Sequence, residues 1–206
     1  MTMTSTKNTS GRKHITKKPF VKHRGELVAI NSTGSGTYSA TVKKSFEQFD
    51  LGLDRWGRQL FCMFQLKPGA ASATNNIMTN LLRRVSYQLS KLGVAEYGYH
   101  WCREQDKSEG EHYHLALWID GDMFRTSHSI APIVQRAWEE LGGFFASARR
   151  RYQYVDDSQS RQEALYWLSY LSKGKGKGKR PTQTKDHGMS RLKAVVVSSF
   201  SEPMSV

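Results

Sequence analysis

The chain has 206 residues, enough for one domain with a sizeable core and ordinary tails but short for two full domains. Lysine and arginine number 31 against 18 acids, a formal net charge of +13, so the expected partner is polyanionic, with nucleic acid first among the options. A hydrophobic content of 38% excludes a wholly disordered chain, no run approaches the roughly 18 apolar residues of a membrane span, the start lacks a signal peptide's apolar stretch, and two cysteines cannot staple a secreted domain. These features predict a cytoplasmic protein with reduced thiols.

In chain order, residues 1–24 carry Lys7, Arg12, Lys13, Lys17, Lys18, Lys22 and Arg24 and no acid. This predicts a disordered basic arm over residues 1–27, a domain over 28–194 and a C-terminal tail over 195–206. Val42, Phe46, Phe49 and Leu53 recur at spacings of three and four, which suits a short amphipathic helix over 38–54. The apolar run 60–66, closed by Lys67-Pro68-Gly69, reads as a buried strand. Ile77, Leu81, Val85, Leu89 and Leu92 then mark a helix from about Thr74, with Gly93 where a C-terminal cap belongs.

Two strands follow, 95–104 and 111–120, and the polar turn formers between them make the pair a hairpin. A helix over about 129–141 stops at Gly142-Gly143, and residues 149–155 read as a strand. The last helix runs from about Gln159 to Lys173, with Ser158 as its N-cap. It ends in Gly174-Lys175-Gly176-Lys177-Gly178-Lys179-Arg180-Pro181, read as a flexible cationic loop. The spacing of a phosphate-binding P-loop is missing there.

His112 and His114 share one face of their strand, because side chains alternate, and two convergent imidazoles invite a metal. A turn centred near Ser108 sets Glu104 opposite His112 and Cys102 opposite His114, so Glu104 joins the histidines' face as a third ligand. Tyr97, Tyr99, Trp101, Tyr113, Leu115, Leu117 and Ile119 then form an apolar opposite face, and a one-residue slip would scramble both. Carboxylate and imidazole together with substrate phosphate suit Mg2+ or Mn2+; zinc through Cys102 would lack its usual paired ligand knuckles. An isolated pair of this spacing is also met as ordinary half-exposed strand histidines, so it gains weight only in combination.

Tyr166, Tyr170 and Lys173 stand at i, i+4 and i+7, one stripe along the last helix, while Leu165, Leu168 and Leu171 take the core side. A phenol attacks phosphorus only with help, which a metal on the phosphate and the charge of Lys173 would supply. Alone, such tyrosines also suit the margin of a core.

Taken together, the apolar strand 60–66, then His112-Tyr113-His114, then Tyr170-Leu171-Ser172-Lys173, resemble the three-motif order of rolling-circle replication initiators of the HUH endonuclease superfamily. More specifically, Trp101-Cys102-Arg103-Glu104-Gln105-Asp106 followed by Glu111-His112-Tyr113-His114-Leu115-Ala116-Leu117 resembles inovirus-type replication proteins, the YagK/YfjJ C-terminal domain family. The likeness spans about residues 55–193, and its specific parts are the histidine strand and the YxxK helix.

The resemblance implies an α+β fold: a central antiparallel sheet with a ferredoxin-like core, the two histidines at its centre, helices alongside and a tyrosine helix facing the metal. It implies a phage or plasmid replication endonuclease that nicks one strand of origin DNA, leaving a 5′-phosphotyrosine and a free 3′-hydroxyl. His112 and His114 match the metal pair, Tyr170 the nucleophile and Lys173 the motif lysine; Tyr166 is placed like the second tyrosine of two-tyrosine initiators. Arg103, Lys175, Lys177, Lys179, Arg180 and Arg191 are the expected phosphate contacts. No helicase motif accompanies them, so unwinding falls to a host helicase or to supercoiling, with a host polymerase extending the 3′ end; neither a small-molecule substrate nor a membrane is expected. A transposase or relaxase of the same chemistry, and a noncatalytic basic protein that binds single strands, are the alternatives.

Overall fold

The apolar run 60–66 and the histidine hairpin become the middle of a sheet covered on both sides. The computed structural model describes residues 14–71, 73–106, 110–146, 152–178 and 184–195. Its elements in order are β1 (Ile15–Thr16), β2 (Phe20–His23), β3 (Glu26–Ala29), β4 (Thr37–Tyr38), α1 (Ser39–Trp56), β5 (Gln59–Lys67), α2 (Asn76–Lys91), β6 (Gly98–Asp106), β7 (Gly110–Asp120), α3 (Ile130–Glu139), β8 (Phe144–Ala146), β9 (Tyr152–Val155), α4 (Ser158–Ser169) and β10 (His187–Met189). Among the described residues these make four helices and a six-stranded antiparallel sheet in the order β10-β6-β7-β5-β8, with β9 also on β5, an α+β arrangement consistent with a ferredoxin-like core.

One face of the sheet packs on α2 and α3. Leu60, Cys62, Phe64 and Leu66 of β5 and Tyr113, Leu115, Leu117 and Ile119 of β7 meet Leu81, Val85, Leu89, Val134 and Trp138. This is the apolar hairpin face expected from the sequence. Gly93, at φ +83, ends α2 in the left-handed conformation that favours glycine, and Val94 N–H closes back onto the Leu89 carbonyl at 3.1 Å.

The other face packs on α1 and α4, where Phe61, Cys102, Ala116 and Trp118 meet Phe46, Phe49, Leu165 and Leu168. Each fully buried aromatic or leucine here contributes about 1.5–3 kcal/mol of transfer free energy.

Two expectations are corrected. Residues 14–27 are not a disordered arm: they form β1, β2 and the start of β3, and Val21 and His23 are buried against the α1 and α4 side. His23 Nε2 donates to Asp50 Oδ2 at 2.7 Å, and Arg161 grips the same carboxylate through Nε at 2.8 Å and Nη2 at 2.7 Å. This three-way clamp of β2, α1 and α4 binds a segment too poor in apolar periodicity to be recognised alone. Residues 1–13 and most of the C-terminal tail lie outside the described residues.

The last helix also differs. Asp157, not Ser158, is its N-cap, in a reciprocal box in which Ser160 N–H donates to Asp157 Oδ1 at 2.6 Å. At the other end the α-helix stops at Ser169 and tightens into a 3-10 turn over Tyr170–Ser172, after which Lys173 is extended and bridges to Thr37. Tyr166, Tyr170 and Lys173 are therefore not one helical stripe.

Candidate metal centre

β6 and β7 pair with Glu104 opposite His112 and Cys102 opposite His114, the register inferred from the alternation of apolar residues. The even-numbered side chains face α1 and the 3-10 turn, and three of them converge. Glu104 Oε2 lies 3.5 Å from His112 Nε2 and 3.5 Å from His114 Nε2, and one ligand atom from each residue lies within 4.8 Å of the others. The two imidazoles stand edge to face, 5.2 Å between centroids.

Tyr170 completes the wall: its ring meets His114 edge to face at 5.1 Å. A cavity of about 110 Å³ opens between Gln65, Glu104, His112, His114, Tyr170, Lys175 and Gly176, with room for an ion and a few ligand oxygens. Gln65 arrives from β5, whose register sets it beside His114. Within the apolar run 60–66 it is the one polar side chain, a signal visible in the sequence whose meaning depends on the strand pairing.

The glycine-lysine tract, expected to be a flexible loop, is over residues 174–178 a strap laid on β6. Gly176 O accepts from Gln105 N–H at 2.9 Å, and Gly174 N–H donates to Gly36 O at 3.0 Å. Gly176 sits at φ +70, and a Cβ there would stand 3.1 Å from Glu104 Cβ and 3.2 Å from Gln105 N, so glycine allows both the turn and the close approach. The strap drops Lys177 onto the centre: its side chain is fully buried and Nζ donates to Glu104 Oε1 at 2.6 Å.

Lys177 is thus corrected from a phosphate contact to an internal counter-ion. Lys175 remains exposed at the cavity wall, and Lys179 and Arg180 lie outside the described residues.

Electrostatics follow from this packing. Burial opposes ionisation of Glu104, yet the two imidazoles and the Lys177 ammonium prevail and hold its carboxyl well below the usual carboxylate range. Burial pushes the Cys102 thiol up to about 12, so it is not a ready thiolate; it donates instead toward Glu104 Oε1 at 3.9 Å. His114 Nε2 is buried without a hydrogen-bond partner, and with a carboxylate oxygen and a second imidazole nitrogen beside it the donor set fits a divalent ion.

The remaining candidate residues are dispersed. Tyr166 is 44% exposed and does not line the cavity. Lys173 Nζ donates to Asn31 Oδ1 at 2.9 Å and sits 5.8 Å over the Tyr170 ring, so it acts on Tyr170 rather than in the cavity. Arg103 is corrected outright. It lies on the opposite face of β6 with its side chain buried, bonded to Glu111 Oε2 at 2.7 Å, while Tyr113 Oη donates to Glu111 Oε1 at 2.6 Å. Arg191 is exposed beside Tyr99 at the β10 edge.

The sequence matches the YagK/YfjJ C-terminal domain over residues 70–190, more than half of the chain. The chain belongs to the YagK/YfjJ C-terminal domain family. The matched span runs from just before α2 through β10 and so contains Glu104, His112, His114, Tyr170 and the strap, while α1 and β5 of the same sheet fall before it. No curated protein and no solved structure matches the chain. Among the described residues of this family member no helix is long and apolar enough to cross a membrane.

Proposed function

We propose that the protein is an HUH-type endonuclease that nicks one strand of DNA at a replication origin through Tyr170. The observation that carries this reading is a single cavity lined by Glu104, His112, His114 and a tyrosine, in a chain of net charge +13. A divalent ion held by Glu104 Oε2, His112 Nε2 and His114 Nε2, Mn2+ or Mg2+, would polarise the scissile phosphate and offset its charge.

The chain's own residues do the rest. Gln65 and the exposed Lys175 border the space a phosphate would enter, with Lys175 supplying positive charge. His114 holds the Tyr170 ring on edge, and the 3-10 turn fixes its approach. The phenol oxygen forms a bond to phosphorus as the bond to the 3′ oxygen breaks. The proton lost by the phenol is balanced by the one taken up at the 3′-hydroxyl, and the 5′ end stays on the protein.

A test is incubation with a supercoiled origin plasmid and Mn2+, reading nicked circles and protein-linked DNA on a denaturing gel. Tyr170→Phe should abolish the linked species and Tyr166→Phe should retain it. Nicked circles without linked protein, or a linked species unchanged in Tyr170→Phe, would contradict the assignment. The resulting 3′-hydroxyl would serve a host polymerase, with a host helicase opening the duplex.

A further inference from the structure

A second concavity, about 1300 Å³ and far larger than the metal cavity, runs along the β10 edge between α1, α2 and β6. Its volume exceeds the roughly 300–1,000 Å³ of a small-molecule pocket. Its wall presents Tyr97, Tyr99 and Trp101, the odd-numbered residues of β6 and the segment before it, on the strand face away from Glu104, and continues round the β10 edge to Ala40, Thr41 and Lys44 of α1. Tyr97 and Tyr99 are partly exposed with ring centroids 6.2 Å apart.

The charges around it are one-sided. Lys44, Lys185 and Arg191 line it, all exposed, and among the described residues none forms an ion pair. Of its two acids, Glu96 is paired with Arg55, and Asp186 is buried and accepts from Gly178 N–H through Oδ1 at 3.3 Å. The N-terminus of α2 opens here too, with no acid in its first turn and with Asn75 bonded through its side-chain amide to the Lys185 backbone, accepting at 2.6 Å and donating at 3.2 Å.

The floor is rigid. Gln48 of α1 holds the 190–192 segment through Ser190 Oγ, Leu192 N–H and Leu192 O, at 2.7–3.1 Å. A preformed groove with aromatic faces, unmatched cations and a helix N-terminus has the chemistry of a single-stranded nucleic acid site. Unstacked bases lie on the rings while phosphates meet the cations, and a duplex hides the base faces that the rings would take.

We propose that this groove binds a single DNA strand without metal and feeds it to the metal cavity, a role that rests on the nuclease reading. The two sites are physically joined: Asp186 lines the groove and anchors the strap, through Gly178, that carries Lys175 and Lys177 over the centre.

The test is fluorescence anisotropy with a labelled oligothymidylate in EDTA, using the full chain. Lys185→Glu with Arg191→Glu, both at exposed positions, should weaken binding by tenfold or more and lower the salt slope by about 1.4, about 0.7 for each phosphate that is no longer neutralised. Tyr99→Ala should weaken it about five- to a hundredfold through lost stacking. A duplex of the same length should compete less well than the single strand. Wild-type affinity in the double-charge variant, or equal competition by duplex, would overturn the proposal. The same protein assayed for the covalent adduct separates the readings: groove-dependent binding with no adduct contradicts the nuclease alone, and an adduct with groove-independent binding contradicts the groove alone.

Discussion

Lys177 Nζ lies 2.6 Å from Glu104 Oε1, both side chains buried, while the other carboxylate oxygen faces His112 and His114 at 3.5 Å each. The carboxylate is divided between an internal ammonium and a prospective ion. Lys177 therefore orients Glu104 to offer one oxygen, and its charge also opposes the second cation.

Removing that charge should tighten the centre. Lys177→Met is expected to bind Mn2+ about tenfold or more tightly than wild type, a shift equivalent to about 1.4 kcal/mol, measured by electron paramagnetic resonance titration. Without metal the same variant should melt at a lower temperature, because Glu104 loses its nearest counter-ion, and added Mn2+ should raise its melting temperature more than that of wild type. Unchanged or weaker ion affinity would show that Lys177 does not compete.

The strap's geometry makes a paired prediction. Gly176→Ala should cost about 1–2 kcal/mol from its positive φ, plus a further amount because the new methyl group meets Glu104 and Gln105. Gly178→Ala, at φ +83 but with nothing within 4 Å, should cost only the first part. Chemical denaturation of both reads the difference, and equal losses would mean that the strap gives way without strain.

Stability should depend on pH through Glu104. Its carboxyl ionises more readily in the folded state than in the unfolded chain, so this contribution is fully present above about pH 4.3 and is lost as pH falls toward the folded value. Glu104→Gln should flatten the fall in unfolding free energy below about pH 4.3. A denaturation series from pH 6 to 3 measures it, and parallel curves for the two proteins would remove Glu104 as the source.

Arg103 should behave as a structural residue. Arg103→Ala leaves Glu111 buried with one partner fewer and is expected to cost about 3–5 kcal/mol. The salt slope of DNA binding, measured on the folded variant, should stay as in wild type. A lower slope with full stability would return Arg103 to the nucleic-acid surface.

The centre was legible where sequence periodicity is strict. Tyr99, Trp101, Tyr113, Leu115, Leu117 and Ile119 make the odd-numbered face of the hairpin apolar away from its turn, and the even-numbered residues carry Glu104, His112 and His114, so only one register buries that face. What escaped depends on contacts distant in sequence. The folding of residues 14–27 rests on His23 meeting Asp50 and on Arg161 meeting Asp50 across 111 positions. Lys177 reads as a solvated lysine in a low-complexity tract until the strap is seen to cross β6. Lys173 leaves the stripe of Tyr166 and Tyr170 because the helix tightens from residue 170 and Lys173 is extended, a change of pitch that a 100° projection cannot anticipate.

The central claim is that Tyr170, beside the Glu104-His112-His114 cluster, is the nucleophile, and trypsin digestion of the covalent adduct tests it most directly. Cleavage after Arg161 and Lys173 releases residues 162–173, which contain both Tyr166 and Tyr170. Fragment-ion mass spectrometry of that peptide should place the nucleotide mass on Tyr170 and leave Tyr166 unmodified. A nucleotide on Tyr166, or on a residue outside this peptide, would contradict the account.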